Sequence, residues 1–212
     1  MGKDRKRRRL IIDCLVEVFL DPDTEQVVRW AVADALSIID SEVVNRRVIG
    51  SILSEQAEAK FDPEQRIHLY KCLAYLIGRI RTQDGRAHRF LRETCLGEHA
   101  DVRLWASAIR ALGELSDPQH RPLLEQIALG EFQDVELSEA CRVNLEDGLS
   151  HAYERTLLRR RAIEALSNVG DEQTLQKLRA GKTDLDLELW RSFYLTSEEI
   201  YWRMSQGLGR VR

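Results

Sequence analysis

Apolar residues recur along the chain at helical spacing, and the pattern itself repeats. Val28, Ala31, Ala35, Leu36 and Ile39 form one stripe, Trp105, Ala108, Ile109 and Leu112 a second, and Leu158, Ala162, Ala165, Leu166 and Val169 a third. Steps of three and four residues place each set on one face of a helix. Leu69, Leu73, Leu76, Ile77 and Ile80 make the same stripe with larger side chains. Glycine and proline number 12 and 4, and the alternation of strands is missing almost everywhere, so the chain reads as all-α. The recurrence predicts a right-handed α-solenoid of about five antiparallel helix pairs at roughly 40 residues each.

The first pair comprises Leu10 to Leu20 and a helix from Glu25 to Ile39, with Asp23 or Thr24 as its cap. Val43 to Lys60 makes the outer helix of the second pair, Phe61-Asp62-Pro63 breaks it, and Glu64 to Ile80 is the inner one. The third pairs Ala87 to Leu96 with a helix opened by Asp101-Val102-Arg103 and closed by Gly113 and Ser116-Asp117-Pro118. Leu123 to Leu129 begins a fourth, whose inner helix has two competing registers: one follows Asp134-Val135-Glu136-Leu137 and reaches Leu145, the other is Arg159 to Leu166. Steps between stripe residues of 41, 35 and 54, from Leu36 through Ile77 and Leu112 to Leu166, predict an extra helix between Asp134 and Leu149. Glu172 to Leu178 and Leu185 to Met204 close the array, with Thr196-Ser197-Glu198-Glu199 in the form of a capping box that starts a new helix. Residues 1–9 are a basic lead, 10–205 a single solenoid domain and 206–212 a flexible tail. Alanines 31, 35, 106, 108, 162 and 165 are the points where helices approach closely, with leucine and isoleucine as fill.

Asp101-Val102-Arg103 with Ala106, Ala108 and Ala111-Leu112-Gly113, and Ala162-Ile163-Glu164-Ala165-Leu166 ahead of Gly170-Asp171, resemble HEAT repeats of the armadillo-like class. The resemblance extends over residues 10 to 205 and implies a surface offered to a partner. The ending, Gly170-Asp171 with Leu175, Leu178 and Glu199-Ile200-Tyr201-Trp202-Arg203, is similar to the HEAT tail of bacterial signalling NTPases with a NACHT-type core. That likeness implies a detached sensor module, since the chain carries no ATPase motif.

Charge narrows the partner classes. With 32 basic and 35 acidic side chains the net charge is −3, so no global field holds nucleic acid or an anionic membrane. Cys14, Cys72, Cys95 and Cys141 make neither a disulfide framework nor a C-x-x-C motif and read as buried thiols. No run approaches a membrane span, Leu10-Ile11-Ile12 is cut short by Asp13, and Gly2 lacks the Ser or Thr context of a myristoylation signal; a cytoplasmic protein is expected.

Catalytic patterns are weak. Ala180-Gly181-Lys182-Thr183 has the ending of a phosphate loop, but Gln176 stands where its first glycine belongs, so Gly181 reads as a helix end. The histidines, His68, His88, His99, His120 and His151, lack the repeated His-Glu dipeptides that resembling deoxyhypusine hydroxylases use for paired metals. Only Cys95 with Glu98-His99 comes near a cluster, and solvated or capping histidines are expected instead. Arg5 to Arg9, and Arg159 to Arg161 with Glu154 and Glu164 nearby, read as solvated helix faces. Trp190, Phe193, Tyr194, Tyr201 and Trp202 read as the terminal cap of the solenoid, with an aromatic anchor patch as the alternative.

The expectation is therefore a non-enzymatic scaffold without cofactor or metal that binds a protein or peptide. Its polar contacts are Arg29, Arg103, Arg110 and Arg160, and its aromatic ones Trp30, Trp105, Trp190, Tyr201 and Trp202. Nucleic-acid binding through the basic start and the repeat arginines is the alternative; no membrane partner is expected, and the oligomeric state is open.

Overall fold

The computed structural model describes residues 2–39, 49–50, 60–96, 102–131, 148–181 and 187–207. Among these the chain is all-α. Helices α1 (Gly2–Phe19), α2 (Gln26–Ile38), α3 (Pro63–Ile80), α4 (Gly85–Arg89), α5 (Val102–Glu114), α6 (Arg121–Leu129), α7 (Gly148–Val169), α8 (Glu172–Ala180) and α9 (Leu187–Ser205) follow in order. A π-helical turn, Phe90–Cys95, extends α4, and a 3-10 turn, Pro118–His120, leads into α6.

The inner helices stack in sequence, α2 on α3, α3 on α5, α5 on α7 and α7 on α9, with α1, α6 and α8 packed as the outer members. This is the predicted helical solenoid. The fourth inner helix takes the register of Arg159 to Leu166, inside α7; the alternative through Asp134, and the extra helix placed there, lie outside the described residues. So do most of Val43 to Lys60, Asp101, Glu98-His99, Lys182-Thr183 and residues 208–212. The basic start is already helical, as part of α1.

Two glycines set the spacing of the stack. A Cβ at Gly78 would lie 2.9 Å from the Ala111 Cα, and one at Gly113 would lie 2.6 Å from the Ala165 Cβ. Gly113 therefore does not stop α5, which runs on to Glu114; it lets α5 and α7 touch backbone to backbone. Ala108, Ala162 and Ala165 are buried as expected, whereas Ala31 is exposed.

That difference belongs to a rotation of α2. Its buried face is Arg29, Val32, Ala33 and Leu36, and Val28 points outward. The cause is Arg29, whose Nε donates to the Phe19 carbonyl at 3.1 Å and whose Nη2 donates to the Asp21 carbonyl at 2.7 Å. The guanidinium closes the C-terminus of α1, where carbonyls lack helical partners, and lies 5.5 Å from the Phe61 ring centre. Neither Asp23 nor Thr24 caps α2; Thr24 instead donates its hydroxyl to Val18.

The same device recurs. Arg159 donates to Ala128 O at 3.1 Å and Arg155 to Gly130 O at 3.3 Å, at the end of α6, and Arg203 donates to Asn168 O and Gly170 O at the end of α7. Thr196 and Ser197 start no new helix. They lie within α9, where Thr196 donates to Ile163 O of α7 and Ser197 to Phe193 O one turn back, so their hydroxyls are spent on packing contacts.

Candidate functional site

Three polar side chains from two separate segments of the chain meet where the third helix pair joins the fourth. His88 sits on α4, a short helix whose start is fixed by Asp84, which accepts from the Arg86 amide at 2.9 Å. The Arg86 guanidinium bonded to Asp84 holds that carboxyl below its ordinary range. Asp117 caps the 3-10 turn by accepting from the Gln119 amide at 2.9 Å through Oδ1. This leaves Oδ2 for the cluster. His120 ends the same turn, held inward by it and only 1% exposed.

Hydrogen bonds orient the rings. The buried His88 places Nε2 2.9 Å from the Thr82 carbonyl; a carbonyl only accepts, so Nε2 carries a proton, and in the neutral ring Nδ1 holds the lone pair. His120 Nε2 lies 3.0 Å from that Nδ1, and Asp117 Oδ2 lies 3.8 Å from it. The Gln119 side-chain nitrogen also reaches in, 2.9 Å from His88 Nδ1 and 2.6 Å from Asp117 Oδ2. Burial, reinforced by His88, pushes the His120 imidazole down to about 4, so it is neutral at physiological pH. Its Nδ1 is buried without a hydrogen-bond partner.

The expectation of a non-enzymatic chain without a metal-capable group is corrected by this cluster. It rested on histidines taken one at a time along the sequence. Folding brings ligand atoms of His88, Asp117 and His120 within 4.8 Å of one another, a donor set of the type used in metal-dependent chemistry. Neither His88 nor His120 is solvated. The available signal was Asp117-x-x-His120: an aspartate that caps a turn puts the residue three positions later on the same side as its free oxygen.

The named contact residues do not form one surface. Arg29 is 2% exposed and Trp105 5%, so both are structural, against expectation. Trp30 is half-buried, edge-on to Tyr75 at 5.2 Å. Arg103 is exposed, Arg110 is exposed and paired with Glu114 at 2.9 Å, and Arg160 pairs with Glu164 at 3.7 Å and Glu188 at 3.5 Å. Trp190 stands edge-on to Phe193, Tyr201 accepts from Arg179 at 2.6 Å, and Trp202 is exposed. Among the thiols, Cys14 is exposed, contrary to expectation, whereas Cys72 and Cys95 are buried. Burial pushes Cys72 up to about 12. Gly181 ends α8, as read from the sequence.

Another polar set ties α6 to α8. The buried Glu125 accepts from the Thr174 hydroxyl at 2.6 Å and from Lys177 at 2.5 Å, while Arg121 pairs with Asp171, the cap of α8. Its members satisfy one another, so it reads as an interhelical clamp.

Stacked helix pairs with small residues at their inner contacts define a HEAT-like helical-repeat fold. A family model, the PBS lyase HEAT-like repeat, matches residues 158–184, which run from the middle of α7 past the end of α8. The solved structure of human deoxyhypusine hydroxylase in complex with glycerol is similar at 11% identity and a TM-score of 0.44, covering 95% of this chain and 100% of that one. No curated protein matches the chain in sequence. Among the described residues no helix is long and apolar enough to cross a membrane.

Proposed function

We propose that this chain is a HEAT-like repeat module that holds a helical segment of a protein partner against the outer face of α9. The observation that carries the reading is an exposed apolar patch at the start of that helix, with Trp202 further along the same side beyond the exposed Glu198 and Glu199. Leu187, Tyr194, Leu195 and Trp202 are 87%, 60%, 59% and 56% exposed, and their spacing places them on one face. Scattered apolar residues on a surface are ordinary, whereas a contiguous set beside a groove marks docking. The groove is a cavity of about 640 Å³ lined by Leu187, Glu188, Trp190, Arg191, Tyr194 and Leu195. The half-buried Trp190 supplies an aromatic anchor, and Glu188 and Arg191 form a rim of both signs.

The nucleic-acid alternative draws no support from four of the repeat arginines. Arg29 and Arg159 close helix ends, and Arg110 and Arg160 are ion-paired. To test the docking reading, a photo-crosslinking phenylalanine is placed at Tyr194 and, as a control, at Arg103, and the full chain is irradiated in its native cell. A discrete protein adduct at position 194 that disappears with Leu195→Glu is expected. Equal adducts at both positions, or none at 194, would overturn it.

A further inference from the structure

We infer that His88, Asp117 and His120 form a binding site for one first-row divalent metal ion of the zinc class. A position between His88 Nδ1, His120 Nε2 and Asp117 Oδ2 offers two imidazole nitrogens and one carboxylate, donors suited to Zn²⁺ or Co²⁺ rather than to the all-oxygen demand of Mg²⁺ or Ca²⁺. Bonds of about 2.1 Å in a tetrahedral shell put neighbouring ligand atoms about 3.4 Å apart. The observed separations from His88 Nδ1, 3.0 Å to His120 and 3.8 Å to Asp117, bracket that value.

Three features favour an ion over a self-contained polar network. First, the ligand tautomer of His88 is already set, since the Thr82 carbonyl takes its Nε2 proton in the manner of the outer-shell partner of a metal-binding histidine. Second, His88 Nδ1 has one lone pair but two nitrogens within hydrogen-bond distance, the Gln119 amide at 2.9 Å and His120 Nε2 at 3.0 Å. A cation resolves the surplus, because both ring nitrogens then direct lone pairs at it. Third, the Gln119 amide nitrogen bridges Asp117 and His88, so its positive hydrogens lie where a cation would sit. Gln119 is exposed and can swing away. Asp117, partly exposed while both histidines are buried, marks the side from which an ion enters and where water completes the shell.

The test uses the full chain, free of any polyhistidine tag and stripped with chelator, titrated with Zn²⁺ by calorimetry and with Co²⁺ by visible absorption. One ion per chain is expected. Asp117→Asn keeps the cap, since asparagine also serves as an N-cap, and removes the charge; it should weaken binding about tenfold or more. His88→Ala should abolish the Co²⁺ band, and Gln119→Ala, which removes the competing amide, should bind at least as tightly as wild type. Absence of stoichiometric binding, binding unchanged by Asp117→Asn, or binding lost with Gln119→Ala would overturn the inference.

Discussion

Gly113→Ala adds one methyl group at the contact between α5 and α7, and the structure sets what that methyl meets. It would lie 2.6 Å from the Ala165 Cβ, 2.8 Å from the Ala165 Cα and 3.1 Å from its carbonyl oxygen. Carbon atoms pack at about 3.5–4.0 Å, so the helices must part by about 1 Å along a contact in the middle of the stack. Two of the three opposing atoms are backbone, so no rotamer change relieves the clash. Because backbone is what must move, the overpacking cost falls in the upper part of the usual range, about 2–3 kcal/mol, against a gain of about 1 kcal/mol from replacing a helical glycine with alanine. A net loss of about 1–2 kcal/mol follows, which for a chain of this length lowers the melting temperature by about 2–8 °C. Calorimetric melting reads this directly. Adding Ala165→Gly removes the nearest of the three contacts and should return part of the loss, even though Ala165→Gly alone destabilises; such non-additivity marks a direct contact. A Gly113→Ala protein that melts at or above the wild-type temperature would refute the close-approach argument.

Two further outcomes follow from the charges and thiols. At Asp171 burial favours the neutral acid, but the Thr174 amide and the Arg121 charge outweigh it, so the carboxyl titrates below its ordinary 3.8. Its contribution to stability is then complete above about pH 4 and is lost as pH falls through the lower folded value, so the stability gap between wild type and Asp171→Asn in urea unfolding should close on acidification; a gap that is constant with pH contradicts this. Under native conditions a thiol reagent should modify Cys14 long before Cys72 or Cys95, as read by peptide mapping, because burial denies those two both access and thiolate; equal rates would contradict their placement.

The solenoid was legible because an alanine-leucine stripe reports one face of one helix, and local spacing is all that requires. Trp105, Ala108, Ile109 and Leu112, and the set from Leu158 to Val169, are buried as their spacing predicts. The errors come from residues whose partners are distant. Gly113 reads as a stop signal, but its role depends on Ala165. Thr196-Ser197 reads as a cap, but the carbonyl that takes the Thr196 proton belongs to Ile163. Arg29 reads as exposed because it is charged, yet the carbonyls at the end of α1 satisfy it inside. The metal-capable cluster was hidden for the same reason: His88 and His120 lie on separate helix pairs, and no dipeptide pattern joins them.

The arginine closures impose a direction on the array. In each, the guanidinium comes later in the chain than the carbonyls it covers, by 10 residues for Arg29 and Phe19, 31 for Arg159 and Ala128, and 35 for Arg203 and Asn168. During synthesis the ends of α1, α6 and α7 therefore stay open until a downstream helix has emerged from the ribosome. At these three ends closure follows chain order, α1 by α2, α6 by α7 and α7 by α9, and a nascent chain halted before Arg203 would leave α7 unlatched.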